Sequence, residues 1–131
     1  MKDLPANKAR AIYKNISIDL RRFKNLKMFM HLQKNEGALA INDDDFSAII
    51  RLGTDLNDNY YQIELPLKVS LNGTSALDLW PEANNLDAFL ETFGKVNLER
   101  DKLDFSITDL YTSTEQDPEI LYTISVKGNS I

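Results

Sequence analysis

Apolar and polar residues alternate along much of this chain with a period of two. In "NISIDL", Ile16, Ile18 and Leu20 share one face. "LKMFMHLQ" puts Leu26, Met28, Met30 and Leu32 on one side, with Phe29 and His31 on the other. "FSAIIRLG" aligns Phe46, Ala48, Ile50 and Leu52, and "YQIELPLKVSL" aligns Tyr61, Ile63, Leu65, Leu67, Val69 and Leu71. "LDFSI", with Phe105 and Ile107, and "ILYTISV", running to Val126, complete a set of roughly six half-buried antiparallel strands. Proline cannot donate to a ladder, so Pro66 predicts an edge position or a bulge.

One segment breaks this period. "NNLDAFLETFGKVNLERDK" spaces Leu86, Phe89, Leu90 and Phe93 at i, i+3, i+4 and i+7, which predicts a short surface helix over about residues 85–94. Asn85 is its expected N-cap and Asp87 lies in its first turn, while Gly94 either ends or interrupts it. Several strands plus one helix make the fold mainly β: an antiparallel β-sandwich of jelly-roll, galactose-binding-like type. It is expected to fill residues 1–131 as one domain, with residues 1–9 flexible. The long loops at 34–45 and 72–85 are where a sandwich usually carries function.

Composition narrows the classes. A chain of 131 residues, 43% hydrophobic and 27% charged, holds one globular domain with a core. A net charge of −5 repels polyanions, so nucleic acid is excluded as an expected partner. Lys8, Arg10, Lys14, Arg21, Arg22, Lys24 and Lys27 cluster near the start and read as a solvated positive edge. The absence of cysteine removes disulfides, thiolate metal sites and a thiol nucleophile. No apolar run approaches the roughly 18–20 residues of a membrane span. "MKDLPANKAR" carries no signal-peptide core, so the expectation is a soluble piece cut from a longer exported protein.

Candidate chemistry is sparse. "DLNDN" begins like a calcium loop, but Tyr60 stands where glycine is needed and Pro66 where a bidentate glutamate belongs. A turn held by Asx hydrogen bonds is the expected reading. Asp43, Asp44 and Asp45 would ligate Ca²⁺ only if a second segment supplied oxygens; the default is a solvated acidic turn, with no cofactor. His31, the single histidine, is expected to pack rather than act as a base, and Glu64, Asp78, Glu82 and Asp87 show no acid/base spacing. The sequons at Asn15 and Asn72 matter only in a eukaryotic secretory setting. No catalysis is expected. Trp80, in "LDLWPEANN", reads as a plug for the end of the sandwich, with a ligand platform as the alternative. Arg51 reads as an ion-pair partner of Asp55 or Asp58, with a ligand clamp as the alternative.

The ordered set "LKMFMHLQ", "FSAIIRLGTDLNDNYYQIELPLKVS", "LWPEANNLD" and "LYTISVKGN" resembles the SprA/Sov family, the giant outer-membrane translocon of type IX secretion and gliding motility in Bacteroidetes. The resemblance covers most of residues 7–129 and is to an internal segment of those chains. It implies that Gly53, Asp55, Asn59 and Tyr61, with Arg51 and Tyr60, form a strand–turn–strand signature fixing a sandwich hairpin, Tyr61 inward and Tyr60 outward. The family usually has proline after "GN" and a further apolar strand, whereas this chain reads "GNSI". An exposed edge able to pair with another chain is therefore expected. The family's β-barrel pattern is absent from the segment.

The function expected from the resemblance is a non-catalytic module that contacts other parts of the same translocon, secretion-system subunits or exported cargo, or caps the barrel. Its location would be the cell envelope, at the outer membrane. The rival expectation is a free-standing carbohydrate-binding module, with Trp80, Tyr60 and Tyr111 on or near loops as stacking rings.

Overall fold

A computed structural model describes residues 4–34, 40–70, 75–103, 106 and 108–128, with the side chains of 77 and 78 excepted. Two antiparallel sheets share one core. The larger begins with a hairpin, β2 (Ser47–Gly53) and β3 (Tyr60–Pro66), in the register Ser47↔Pro66 through Gly53↔Tyr60. Its alternation places Ala48, Ile50 and Leu52 opposite Leu65, Ile63 and Tyr61 on the core side. Next to β3 lies β6 (Leu121–Lys127), and β5 (Leu110–Gln116) pairs beyond it, giving the order β2-β3-β6-β5. Tyr122, Ile124 and Val126 of β6 are buried at the middle of the core.

The smaller sheet is β1 (Asn25–Phe29) against β4 (Asn85–Phe89). Two strands alone are marginal in water, so this pair depends on docking. Leu86 and Ala88 of β4 are fully buried and join Ile63, Leu65, Tyr122 and Ile124 in one cluster, with Leu26 of β1 packed against it. Burying a leucine such as Leu86 stabilises by about 2 kcal/mol.

Two polar links fix the arrangement. The Tyr122 hydroxyl accepts from the Phe89 N–H at 3.0 Å, and burial pushes that phenol above its ordinary range. Fully buried Asn84 accepts from the Lys68 N–H and donates to the Lys68 carbonyl, both at 2.7 Å. Its own carbonyl accepts from Met30 N–H at 3.2 Å. A single side-chain amide thus replaces a stretch of ladder between the segment after β3 and the turn Glu82–Asn84 that leads into β4.

The expected antiparallel, mainly β architecture is observed, and several local expectations shift. Residues 85–89 form a strand rather than a helical turn. Leu86 and Ala88 alternate with Asp87 and Phe89 against β1, and a short apolar run fits both periods until a partner strand decides. After a short α1 (Ala76–Leu79), the main helix, α2 (Glu91–Asp101), starts six residues later than expected and buries Phe93 and Val96. Phe93 meets the Tyr61 ring at 4.8 Å and the Tyr122 ring at 5.4 Å. Gly94 lies within this helix and neither ends nor breaks it. Alternation at 16–20 yields no strand: Ile16 and Ile18 stay exposed, and Leu20–Arg22 is a single 3-10 turn capped by Asp19. Phe105 and Ile107 lie outside the described residues, as does Leu71. β5 was not expected, because only Tyr111 in "LYTSTEQ" marks its inward face.

Pro66 shows how a central strand accommodates proline. β3 pairs with β6 only from Tyr60 to Glu64, so at Pro66 it is bonded to β2 alone and is locally an edge.

Asn84→Ala would strand the Lys68 peptide, and a loss of about 1–3 kcal/mol is expected as a lower urea midpoint at unchanged slope. Gly94→Ala works in the other direction: a Cβ there meets nothing within 4 Å, so a gain of about 0.5–1 kcal/mol is expected in the same assay.

Candidate functional site

The turn between β2 and β3 is organised by one carboxylate. Asp55 Oδ1 accepts from the backbone N–H groups of Asn57 (3.0 Å), Asp58 (2.6 Å) and Asn59 (3.1 Å), and Oδ2 accepts from the Asn59 side-chain amide at 2.7 Å. These bonds, the Asn59 side chain foremost, hold the Asp55 carboxyl well below the usual carboxylate range. The loop is also tied to β6: Ser125 Oγ donates to the Asp58 carbonyl, and Lys127 N–H donates to Asn59 Oδ1, each at 2.9 Å. At Gly53 a Cβ would collide with the Asn59 carbonyl oxygen and Tyr60 Cα. Its role is therefore close approach of the returning chain.

Arg51, Gln62 and Tyr60 share the outer face of this hairpin, because Arg51 pairs with Gln62 and lies diagonal to Tyr60. The guanidinium sits 4.0 Å above the Tyr60 ring. Nε donates to Gln62 Oε1 at 2.9 Å and a terminal nitrogen donates to the Leu56 carbonyl at 2.6 Å. The expected ion pair with Asp55 or Asp58 is replaced by this stack, since Asp55 is already occupied by turn amides. Tyr61, on the opposite face, packs on Phe93.

The three aspartates before β2 diverge. Asp43 Oδ1 accepts from Val69 N–H at 2.8 Å, and Asp45 Oδ2 from Asn42 N–H at 2.8 Å. Asp44, at φ 68°, pairs with Lys68 at 2.7 Å and raises that ammonium's pKa. Among the described residues no three His, Cys, Asp or Glu side chains are grouped to hold a metal ion. These carboxylates lock the loop to the segment after β3.

Trp80 does not plug the sandwich. It is 49% exposed beside Phe29, which is 65% exposed, with the two rings edge to face at 6.4 Å. His31 lies 5.2 Å from the indole, and its Nδ1 is 3.0 Å from the Leu79 carbonyl, a contact that needs the proton on Nδ1. Phe29 belongs to the face of the two-stranded sheet turned away from the core, with Lys27, Asp87 and half-exposed Phe89. Asp87 at the centre accepts from Asn25 Nδ2 at 2.6 Å and pairs with Lys27 at 3.4 Å. This is an aromatic surface with a polar centre.

The rings proposed for sugar stacking are not brought together. Tyr60 lies under Arg51, Trp80 stands against Phe29, and Tyr111 is a β5 residue only 6% exposed. Phe29 and Phe89 were missed because alternation marks a residue as outward without saying that the outward face is apolar. A cleft beside α2, lined among others by Leu20, Phe23, Lys24, Tyr61, Phe93 and Asn97, includes Tyr61 of the hairpin signature and none of the candidate contact residues Trp80, Tyr60, Tyr111 and Arg51.

Asp55 gives a pH signature. Its carboxyl is depressed in the folded state, so its contribution is complete above the unfolded value near 3.9 and is lost as pH falls below it. Asp55→Ala is expected to lower the denaturation midpoint at pH 7, with the gap to the parent closing steadily below about pH 4. A gap independent of pH would remove the ionised carboxylate as its cause.

Comparison with known proteins adds the family. The SprA_N model, described as motility related/secretion protein, matches residues 1–130. No curated protein matches the chain. With the match running over nearly every residue, this chain belongs to the SprA_N family of motility-related and secretion proteins.

Proposed function

We propose that this domain is a non-catalytic docking module of a SprA-like translocon in type IX secretion and gliding motility. It contacts other segments of the translocon, secretion-system subunits or exported cargo at the outer membrane, or caps the transport barrel. The family match supports a role in secretion or motility. The observation that carries the docking role is the exposed Phe29–Trp80–His31 cluster, in which Phe29 at the end of β1 meets Trp80 from the segment before β4. Exposed rings that retain a polar neighbourhood suit protein contact, where a few large aromatic anchors supply most of the energy.

The polar side chains reinforce this reading. Asp43, Asp44, Asp45, Asp55 and Arg51 are engaged in loop and turn bonds. Their chemistry is spent on holding shape, and the aromatic face is what the domain offers to a partner.

The test uses the native full-length protein carrying Phe29→Ala and Trp80→Ala. Affinity purification from envelope membranes is expected to recover bound secretion components at least about tenfold less, as loss of a hot-spot ring implies. The level of the protein itself should not change. Unaltered recovery, together with unaltered secretion and surface spreading, would remove this face as the docking site.

A further inference from the structure

We infer that the cleft between the turn Leu20–Arg22 and α2 is a socket for one aromatic side chain of a partner polypeptide, a tyrosine or tryptophan whose O–H or N–H donates to Asn97 Oδ1. The socket shares no residue with the Phe29–Trp80 face, so it stands whether or not that face docks a partner.

The cleft has a volume of about 450 Å³, within the range of sites that take a ring and its attachment. Its floor is aromatic: the Tyr61 and Phe93 rings meet at 4.8 Å, and Leu20, Leu90 and Phe23 stand around them. One polar atom in this lining is unsatisfied. Asn97 Oδ1 is sealed from water and, among the described residues, has no hydrogen-bond partner. Such a carbonyl is costly to leave unmet, and a donor brought in by a guest removes that cost. Asparagine's terminal torsion is soft, so a turn of the amide presents the oxygen to the cleft that Asn97 lines.

Helix α2 keeps the socket open. Leu90, Gly94 and Asn97 follow one another at i, i+4 and i+7, so one stripe of the helix forms the wall. At its middle stands glycine, which a helix interior disfavours relative to alanine, although a Cβ there would meet nothing within 4 Å. The missing side chain is room for a guest. Charge makes the recognised part of that guest neutral. Arg21 is closed on Asp19 by two side-chain hydrogen bonds, and Lys24 and Glu91 are opposite in sign. The lining therefore gives no net attraction to a phosphate or carboxylate, and a ring with one donor is the group it fits. The cleft is open to solvent on one side, with half-exposed Phe23 at its lip. That leaves an exit for the chain that carries the ring, whereas a free small molecule is held by enclosing most of its surface.

Amide NMR spectra of the full chain, titrated with p-cresol and with N-acetyltyrosine amide, are expected to shift at Tyr61, Gly94 and Asn97 in the millimolar range. Toluene, which has the ring without the hydroxyl, should bind about tenfold or more weaker. Adding the peptide groups should leave binding as tight as that of p-cresol or tighter. Asn97→Ala keeps the ring site and should erase the preference for p-cresol over toluene. Gly94→Leu fills the wall, so all three probes should be lost while the urea midpoint does not fall. No shift in the cleft, or shifts centred on Phe29 and Trp80, would overturn the inference. So would equal binding of toluene and p-cresol by the parent chain, which removes the donor. Binding of N-acetyltyrosine amide tenfold weaker than p-cresol would overturn the polypeptide as occupant in favour of a free small aromatic.

Discussion

The Asn84 amide, sealed from water and closed on both peptide groups of Lys68, is the constraint on which the two-sheet arrangement rests. Neither segment it joins has a complete ladder of its own. The chain after Pro66 has left β6, and the turn before β4 has not yet met β1. One buried side chain holds them in register, and the backbone carbonyl of the same residue takes the Met30 N–H. At the far end of β4, the Tyr122 hydroxyl performs the corresponding task for Phe89. Between these two points Leu86 and Ala88 are forced inward, and the opposite face of the strand pair is thereby forced out.

That geometry also separates the polar loops from the exposed rings. The turn after β2 is rich in groups that look chemical, but Asp55 is consumed by four hydrogen bonds and Arg51 by a ring and a carbonyl. The acidic loop is consumed in the same way, by Lys68, Val69 and Asn42. Bonded polar loops at one side specify the fold, and exposed rings at another form the face proposed to meet a partner.

The sequence made parts of this legible and hid others for physical reasons. β2, β3 and β6 could be read because each buries one face completely enough for alternation to survive. β4 was misread because Leu86, Phe89, Leu90 and Phe93 satisfy a helical stripe, and only the pairing of Leu86 and Ala88 with β1 breaks the tie. β5 escaped because an edge strand with one buried ring gives little pattern; its threonines were the available clue. Asn84 looked like any loop asparagine, since nothing in a sequence shows which amide will be desolvated. The Asx character of the turn was readable from "DLNDN", whereas the stacking of Arg51 on Tyr60 needed the register. The contrast between the strand-like alternation of Ile16, Ile18 and Leu20 and the exposure of Ile16 and Ile18 arises because a strand is a property of two segments, and pattern reports only one.

The central position of β6 has a consequence for the order of events during folding. β2 and β3 are neighbours along the chain and can meet early, but β1 must wait for β4, and β3 must wait for residues 121–127. Contacts of such long sequence separation fold slowly, because loop-closure entropy is paid before burial repays it. A chain emerging from its N-terminus can therefore carry the β2–β3 hairpin, the β1–β4 pair and α2, but no closed core, until Tyr122 arrives. The sixth strand acts as a temporal latch: it sets the moment at which the polypeptide stops being threadable and becomes a body.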